Sequence, residues 1–316
     1  MTRKERSVLL DGLRIHVSET GDGPPVLLIN GLGGHTAMWE PVERALADFR
    51  VISFDAPGAG RSSRPLRPVS VPRLARLAAL VLDDAGVLQA DVVGYSMGGM
   101  VAQQLAADQP DRVRRLVLAA TTCGLGAIPG GPKAMLHLTI PVRFLSARMY
   151  ADTIGAMVGG RARQDREFVA SLAALRLRQV SFLGYFGQLL SLSRWSGLPL
   201  LSRIPHPTLV VTGDDDPLAP LANGILLARM LPQGRMLLAP GEGHLLLVDA
   251  DSPVLDPIRQ FLAAGAPAEA EVWRNATIVE ADDLRAAIPP AGVQAQPWGL
   301  IGAIVRQRWL SAAPPL

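Results

Sequence analysis

The chain has 316 residues, of which 49% are hydrophobic and 19% are charged, and its mean hydropathy is +0.24. A chain of this length buries a substantial core, so we expect one large domain, with or without an insertion. The formal net charge is only +3 and the basic residues form no run of like charge, which disfavours nucleic acid as a partner. No stretch approaches the roughly 20 apolar residues of a membrane span, and no signal peptide is predicted.

The single cysteine, Cys123, excludes an internal disulfide and is typical of a reducing compartment, so a cytoplasmic location is expected. It follows a predicted strand, where a small side chain packs more often than it reacts. We predict no metal and no cofactor. The three adjacent aspartates at 214–216 have no further metal ligands at suitable spacing. The glycine-rich loop at residues 30–34 lacks the lysine of a phosphate-binding loop.

The N-terminal part of the chain contains patterns that predict strands and a loop that contacts the substrate. Residues 8–17 alternate around Asp11-Gly12, a pair that favours a hairpin, and His16 lies in one of its strands as a structural residue. Pro25–Ile29 is a continuous apolar run, as expected for a buried parallel strand. It leads into Asn30–Gly34, whose small residues let backbone amides approach a substrate oxygen. We therefore predict that the N–H of Leu32 is an oxyanion donor.

Helices and strands then alternate along the chain. A helix is predicted over residues 37–48, a strand over 51–54 and a helix over 74–85. The turn-rich loop Asp55–Ser63 contains no evident base and is interpreted as scaffolding. This alternation is typical of a parallel sheet covered by helices.

The most informative stretch is Asp91–Val101, which contains Gly94-Tyr95-Ser96-Met97-Gly98. Gly-x-Ser-x-Gly between a buried strand and a helix is the pattern of a nucleophile elbow, in which a sharp turn exposes the serine hydroxyl. The turn tolerates no bulk beside the serine, and a glycine two positions away on either side meets that requirement. Ser96 is the predicted nucleophile, and the N–H of Met97 is the second predicted oxyanion donor.

After a strand over residues 112–120 the alternation stops. Residues 124–203 are rich in Leu and Met and helical in composition, which indicates a helical cap inserted between two strands. Most of its aromatic side chains are expected to hold the cap together, with about a third facing an apolar cavity suited to acyl chains. These side chains are Phe144, Tyr150, Phe168, Phe182, Tyr185, Phe186 and Trp195.

The sheet resumes at residues 207–212, followed by a helix over 221–230, a strand over 235–238 and a final helix over 253–263. Beyond residue 265 the chain is rich in Ala and Pro but contains three of the five tryptophans. Residues 298–310 carry apolar side chains near helical spacing. This segment would either dock on the rest of the chain or lie on a lipid or polymer surface, and we expect docking.

Three positions in chain order predict the chemistry. A serine needs an adjacent base to become a nucleophile, and that base needs an orienting anion. His244 lies in a short glycine-flanked loop after a late strand, so it is the predicted base. Of three adjacent aspartates, Asp216 is the predicted acid, because of its spacing from Gly213 and the proline that follows. The order Ser, Asp, His is that of an α/β-hydrolase.

Other histidines and carboxylates are weaker candidates. Among the histidines, His35 borders the glycine-rich loop, His137 lies in the cap and His206 opens a strand. Asp214 and Asp215 are expected to face solvent, since three neighbouring carboxylates cannot all point inward. Two further aspartates, at positions 249 and 251, would place the acid after the histidine, which is the wrong order.

These motifs together resemble the serine-hydrolase branch of the α/β-hydrolase fold over residues 7–264. More narrowly, five stretches are similar to intracellular medium-chain poly(3-hydroxyalkanoate) depolymerases: residues 30–33, 54–58, 115–121, 129–133 and 207–221. That family carries Trp after the nucleophile, where this chain has Met97, and has no counterpart of the segment beyond residue 265.

The resemblance implies a mostly parallel eight-stranded sheet with helices on both faces. It predicts a core of residues 1–123 and 204–264, a cap of residues 124–203 and a C-terminal extension of residues 265–316. It also implies hydrolysis of apolar esters, of medium-chain or 3-hydroxyacyl type, through an acyl-enzyme.

Alternative functions stay open at this point. An acyltransferase or a perhydrolase would use the same three residues, and a binding module without catalysis would use the apolar cap. Besides a small-molecule or polyester substrate, the partners considered are a lipid or polymer-granule surface and a second copy of the chain.

Overall fold

The computed structural model describes residues 2–140, 146–177 and 181–280, together with residues 282, 283 and 286. Two of the sequence predictions, the helix over 298–310 and the role of Phe144, lie outside the described residues. Within the described part of the chain, no helix is both long and apolar enough to cross a membrane.

Eight strands form one sheet in the order β1-β2-β4-β3-β5-β6-β7-β8. Strand β2 runs antiparallel to both of its neighbours, and every other pairing is parallel. The strands are β1 Lys4–Leu10, β2 Leu13–Thr20, β3 Pro25–Ile29, β4 Arg50–Phe54, β5 Ala90–Tyr95, β6 Val113–Ala119, β7 Thr208–Gly213 and β8 Gly234–Ala239. The predicted fold class is confirmed.

The predicted hairpin joins β1 to β2. Asp11 and Gly12 form its turn with φ values of 48° and 74°. Two successive positive φ values define the hairpin turn whose twist matches that of its strands, and Asp-Gly is a favoured pair for it.

Helices cover both faces of the sheet. Along β3, Leu27 points to one apolar cluster and Val26 and Leu28 to the other, which is the two-residue alternation of a strand buried on both sides. The first face is covered by α2 Val71–Asp84, α3 Met97–Asp108 and α9 Leu221–Met230, and the second by α1 Glu40–Ala45 and α10 Leu255–Ala263.

Two of the predicted helices are shorter than expected. The helix predicted over 37–48 is a 3₁₀ turn, Thr36–Trp39, followed by α1, which ends at Ala45 because Leu46 leaves helical geometry with ψ of 35°. The chain must turn there to enter β4 in register with β3. The last predicted helix begins at Leu255 rather than at residue 253.

The segment between β6 and β7 is helical, as predicted. It contains α4 Pro132–Thr139, α5 Ala147–Val158, α6 Arg166–Leu177, α7 Phe182–Leu192 and α8 Leu198–Leu201. We refer to residues 124–203 as the cap, and its boundaries as a separate domain stay a prediction.

The chain beyond residue 265 begins by packing on the core. Helix α11, Glu271–Asn275, places Trp273 in a stacked arrangement on Phe261 of α10, with ring centroids 5.1 Å apart. Thr277 then exchanges two backbone hydrogen bonds with Met236 of β8. The first part of the extension is therefore docked against the sheet.

Candidate active site

Ser96 lies at the turn between β5 and α3, with φ of 52° and ψ of −118°. This is strained backbone for a residue other than glycine, and such strain is typical of functional sites. A Cβ on Gly94 would lie 2.6 Å from the carbonyl oxygen of Gly98, and one on Gly98 would lie 1.8 Å from that of Ile29. The two glycines of the motif are therefore required by close backbone approach.

The backbone of Ser96 is held on both sides. Its N–H donates to the carbonyl of Ala119 at 2.9 Å, and its carbonyl accepts from the hydroxyl of Thr121 at 2.6 Å and from the N–H of Gly99 at 2.9 Å. The strained turn is thereby fixed at the carboxyl ends of β5 and β6, where ligands bind in open parallel sheets.

The structure brings the three residues predicted for catalysis together. The Oγ of Ser96 lies 2.9 Å from Nε2 of His244, and Nδ1 of His244 lies 2.7 Å from Oδ2 of Asp216. His244 and Asp216 are buried, with 8% and 4% exposure. Because a carboxylate accepts, the imidazole proton is on Nδ1, which leaves Nε2 free to take the serine proton.

Further hydrogen bonds orient His244 and Asp216, the predicted base and acid. Oδ1 of Asp216 accepts from the backbone N–H groups of Leu218 and Ala219 at 2.8 and 2.9 Å. The backbone of His244 donates to the carbonyl of Val158 in the cap at 2.6 Å, and its carbonyl accepts from the hydroxyl of Tyr95 at 2.8 Å. The imidazole is therefore held in place by both the core and the cap.

The neighbouring aspartates have other partners. Asp214 is exposed and accepts from the N–H of Gly241. Asp215 accepts two hydrogen bonds from Arg163 at 2.7 and 2.9 Å, and one from the N–H of Gly160. Its pKa is lowered, chiefly because Arg163 hydrogen-bonds the charged form. Asp214 thus faces solvent as predicted, whereas Asp215 is only partly exposed and joins the core to the cap.

The later pair of aspartates also contacts the cap. Asp249 and Asp251 both accept from Nη1 of Arg161, at 2.8 and 2.7 Å. Among the described residues, no group of three or more His, Cys, Asp or Glu side chains is arranged to hold a metal ion. The four aspartates Asp214, Asp215, Asp249 and Asp251 thus each hydrogen-bond to a protein group.

The remaining histidines occupy structural positions. His16 and His206 are buried, and burial lowers the pKa of each. His35 is buried beside the carbonyl of Leu175, and His137 lies in α4. Of the five histidines, all within the described residues, His244 is the one that hydrogen-bonds to Ser96 Oγ.

Cys123 is fully buried, and burial raises the pKa of its thiol to about 12. Since the thiolate is the reactive form, burial and the raised pKa both disfavour reaction of this cysteine at neutral pH. The expectation that it packs rather than reacts is confirmed.

The glycine-rich loop faces the serine as predicted. Leu32 and Met97 line the same cavity as Ser96. A Cβ on Gly31 would lie 3.1 Å from the Cβ of Ser96, so this loop must be small to approach the serine. Within the described chain, neither the Leu32 nor the Met97 N–H donates to a protein acceptor, which leaves both amides available to a substrate oxygen.

The loop Asp55–Ser63 supports the glycine-rich loop. The buried carboxylate of Asp55 accepts from the N–H of Thr36 at 2.7 Å and from the N–H of Arg61 at 2.8 Å. The hydroxyl of Ser62 donates to the carbonyl of Asp55. This arrangement fits the interpretation of the loop as scaffolding.

A cavity of ≈ 670 Å³ opens above Ser96. Apart from the residues of the site, its walls are mostly apolar and many come from the cap. The cap residues are Leu125, Ala127, Ile128, Met135, Leu138, Met157, Tyr185, Phe186, Leu189, Leu190 and Leu192. Of the seven cap aromatics, Tyr185 and Phe186 face this cavity, whereas Tyr150 and Trp195 are buried in the packing of the fold.

Three contributors to the site were not singled out from the sequence. Tyr95, Thr121 and Gln188 each hydrogen-bond to a loop that carries a candidate catalytic group. Tyr95 lies inside the elbow motif and Thr121 directly follows a predicted strand, so both had a positional signal. Gln188 lies in a Leu-rich helix of the cap, where nothing local marks it.

Comparison with known proteins agrees with this geometry. A family profile described as the alpha/beta hydrolase fold matches residues 24–251. The chain is 38% identical over 261 residues to a poly(3-hydroxyalkanoate) depolymerase of Ectopseudomonas oleovorans, covering 81% of this chain and 92% of that protein. It is 32% identical over 230 residues to a putative carbamate hydrolase, RutD, of Azorhizobium caulinodans, covering 68% and 82%.

Among solved structures, the enol-lactonase from Burkholderia xenovorans LB400 superposes with a TM-score of 0.71 at 24% identity, covering 82% of this chain and all of that one. At this level of identity the match concerns the fold. The family profile, the two relatives and this fold match together define the class of protein. The chain belongs to the alpha/beta hydrolase fold family and is a hydrolase. The resemblance to poly(3-hydroxyalkanoate) depolymerases is confirmed by the 38% identity.

Proposed function

We propose that the protein hydrolyses carboxylic esters through an acyl-enzyme on Ser96, with His244 as general base and Asp216 as its orienting acid. The observation that carries the proposal is the pair of short contacts, 2.9 Å from serine to histidine and 2.7 Å from histidine to aspartate, at a strained elbow that opens into a cavity. A nucleophile, a base and an orienting group in hydrogen-bond reach define nucleophilic catalysis.

The proposed reaction has two halves. Ser96 Oγ attacks the ester carbonyl while Nε2 of His244 takes its proton, and the carbonyl oxygen becomes an oxyanion facing the N–H groups of Leu32 and Met97. His244 then gives the proton to the leaving alcohol, which departs and leaves an acyl-serine. Water, activated by the same imidazole, attacks the acyl group and releases the acid and the free serine.

The proposed substrates are apolar esters of medium-chain or 3-hydroxyacyl type. The cavity of ≈ 670 Å³ and its mostly apolar cap lining favour an acyl chain over an acetyl group. The 38% identity to a protein named as a poly(3-hydroxyalkanoate) depolymerase supports a 3-hydroxyacyl ester in particular.

An ester panel tests this substrate class. We expect kcat/KM to rise from p-nitrophenyl acetate through the butyrate to the octanoate, by up to roughly fourfold for each buried methylene, about 0.8 kcal/mol. An oligomer of 3-hydroxyoctanoate should also be cleaved. A profile that is flat or highest for acetate would show that the apolar cap residues serve only to pack the cap.

Labelling with a fluorophosphonate tests the enzyme class separately. The probe should modify the wild-type protein at Ser96 and leave Ser96→Ala unmodified, because it needs an activated serine. A wild-type protein that resists the probe would contradict catalysis by Ser96 whatever ester was chosen.

The proposed physical form of the substrate is an ester aggregate or a polymer surface. Leu183, Phe186 and Leu190 form one stripe of α7, exposed to 83%, 47% and 40%. The last two also line the cavity, so an ester held on the stripe lies at the entrance to Ser96. Exposed apolar surface that is continuous with a binding cavity suits an apolar substrate phase.

Substitution of Leu183 tests this surface. Leu183→Gln should lower the rate on emulsified trioctanoin and leave the rate on dissolved p-nitrophenyl butyrate unchanged. The matched control is Leu88→Gln, because Leu88 is 84% exposed but precedes β5, at the sheet end opposite to the site. If both variants lost the same fraction of the rate on emulsified trioctanoin, the stripe would have no specific role in binding the substrate.

A cytoplasmic location belongs to the same proposal. It is supported by the single cysteine, which leaves no disulfide for an oxidising compartment to form within the chain. Fractionation of cells that express the protein tests it, and recovery in the periplasm or the medium would contradict it.

A further inference from the structure

Helix α7 carries its polar residues on the buried side. Gly184, Tyr185, Gln188 and Ser191 are buried, whereas its Leu and Phe residues include the exposed stripe described above. An amphipathic helix normally buries its apolar face. The reversal means that α7 is seated on the core by specific polar and backbone contacts.

The side-chain amide of Gln188 holds α7 on the core through both its oxygen and its nitrogen. Its Oε1 accepts from the backbone N–H of Gly33 at 2.8 Å, and its Nε2 donates to the carbonyl of Pro57 at 3.0 Å. The side chain is 4% exposed. A buried amide with both groups satisfied fixes the position of what it binds, because leaving either group unpaired would be costly.

Gly33 directly follows Leu32, the predicted oxyanion donor. Three other amides in or just after the loop are held from within the core: the N–H of Gly31 by Asn30, the N–H of Gly34 by the carbonyl of Gly31, and the N–H of Thr36 by Asp55. Among the described residues, the acceptor of the Gly33 N–H is Gln188, which belongs to the cap.

Close backbone contacts set the register of α7 against these loops. Gly58 and Gly184 approach so closely that a Cβ on Gly184 would lie 1.9 Å from the carbonyl oxygen of Gly58. Gly33 has φ of 66°, and a Cβ there would lie 3.2 Å from the ring of Tyr185. The same helix also lines the acyl cavity through Tyr185 and Leu189.

From these contacts we propose that Gln188 is a positioning residue, which holds the peptide after Leu32 so that the Leu32 N–H points at the reacting carbonyl oxygen. The inference rests on the proposed ester hydrolysis. Its consequence is that α7 joins two parts of the site: the helix that packs against the acyl chain also aligns the oxyanion donor. Binding of the chain and stabilisation of the transition state are then properties of one element.

The test compares three variants of α7 on p-nitrophenyl octanoate. Gln188→Met keeps the length and removes both hydrogen bonds. Gln188→Glu keeps an oxygen to accept from Gly33. Ser191→Ala is the matched control, because Ser191 lies on the same buried face but donates only to Gly187 within the helix. Two readouts are taken: kcat and KM for the ester, and the affinity for a trifluoromethyl ketone whose adduct with serine carries an oxyanion.

We expect Gln188→Met to lower kcat by about 10- to 100-fold with KM within about twofold, since a displaced donor is lost mainly in the transition state. The ketone affinity should fall by a similar factor. Gln188→Glu should retain more of both, and Ser191→Ala should match the wild type. A loss confined to KM, or a ketone affinity that does not follow kcat, would assign Gln188 to packing and overturn the proposal.

Two further comparisons keep the outcome decisive. If Gln188→Met does not fold, Gln188→Ala, which also removes both hydrogen bonds, is judged by the same criterion, and an unchanged kcat there would overturn the proposal. Ser96→Ala is measured first. Undiminished hydrolysis in that variant would contradict the proposed function itself, whereas an inactive Ser96→Ala with a fully active Gln188→Met would contradict the role of Gln188 alone.

Discussion

The cap braces the site from two sides, and the two sides are built differently. On the acid–base side, the carbonyl of Val158, the last residue of α5, accepts from the N–H of His244, and Arg163 in the turn after α5 pairs with Asp215. On the oxyanion side, α7 rests on the core through the neutral, buried Gln188 and a contact between Gly58 and Gly184.

The difference lies in how much each contact depends on solvent. The side chains of Arg163 and Asp215 are 42% and 40% exposed, so water and salt screen their attraction. Gln188 is almost wholly buried, so its hydrogen bonds are unscreened and costly to break. We infer that the ion pair adds little to the site, whereas the buried amide sets the geometry of the oxyanion side. Close glycine contacts occur on both sides, because a Cβ on Gly159 would lie 1.7 Å from the carbonyl oxygen of Asp215 and one on Gly184 would lie 1.9 Å from that of Gly58.

Removal of the proposed catalytic groups is the largest perturbation. Ser96→Ala and His244→Ala should each lower kcat by roughly 10⁶-fold, to a similar residual level, because the three residues act as a unit. Asp216→Asn should cost roughly 10⁴-fold, since it favours the wrong tautomer of the imidazole. Steady-state hydrolysis of p-nitrophenyl octanoate measures all three.

The neighbouring aspartate provides the control for that series. Asp214→Asn should keep its activity within about twofold, since Asp214 is exposed and bonds only a loop amide. A large loss in Asp214→Asn together with a small one in Asp216→Asn would move the acid to another position.

The glycine contact should give the next largest effect, on stability. Gly184→Ala places a methyl group against the backbone of Gly58, and we expect it to lower the free energy of unfolding by about 1–3 kcal/mol and to reduce kcat/KM for the octanoate. Gly187→Ala, in the same helix, would meet its nearest atom at 3.9 Å. It should stabilise by about 0.5–1 kcal/mol, the usual helical gain of Ala over Gly.

Urea unfolding and activity measure this pair of variants. If Gly184→Ala unfolds at the same urea concentration as the wild type, the contact with Gly58 does not hold α7 against the core.

The ion pair of the acid–base side should give the smallest effect. Arg163→Met should lower the free energy of unfolding by less than about 1 kcal/mol, because the pair is half exposed. Since the pKa of Asp215 is lowered by Arg163, the pair contributes above the ordinary pKa of 3.8 and its contribution is lost as the pH falls through the lowered value. Wild type and variant should therefore differ at pH 6 and converge in acid.

Urea unfolding at pH 6 and at pH 3, in low and high salt, measures this difference. A gap that persists in acid or in 1 M salt would show that Arg163 acts through packing of its aliphatic stem rather than through its charge.

The sequence by itself determined the elbow and the chain order of the predicted nucleophile, acid and base. Gly94 is needed because a Cβ there would meet the carbonyl of Gly98, four residues further along the chain, so this part of the motif is readable without the fold. Gly98 is needed because it approaches Ile29 of β3, which only the fold brings near. The hairpin at Asp11-Gly12 is local in the same sense. Asp216 could be favoured over its neighbours because its spacing from Gly213 and Pro217 is also a local property.

The tertiary structure decided which residues support these groups. Asp215 reads as a solvated neighbour of the acid, yet it meets Arg163 from the cap. Most aromatic side chains of the cap are expected from the sequence to hold the cap together, yet Phe186 lies on the exposed stripe of α7, and Gln188 lies inside. Apolar residues that recur every 3.6 positions show that a helix has an apolar face and a polar face. Which face is buried depends on hydrogen bonds and glycine contacts with loops far away in the chain, and only packing brings those together.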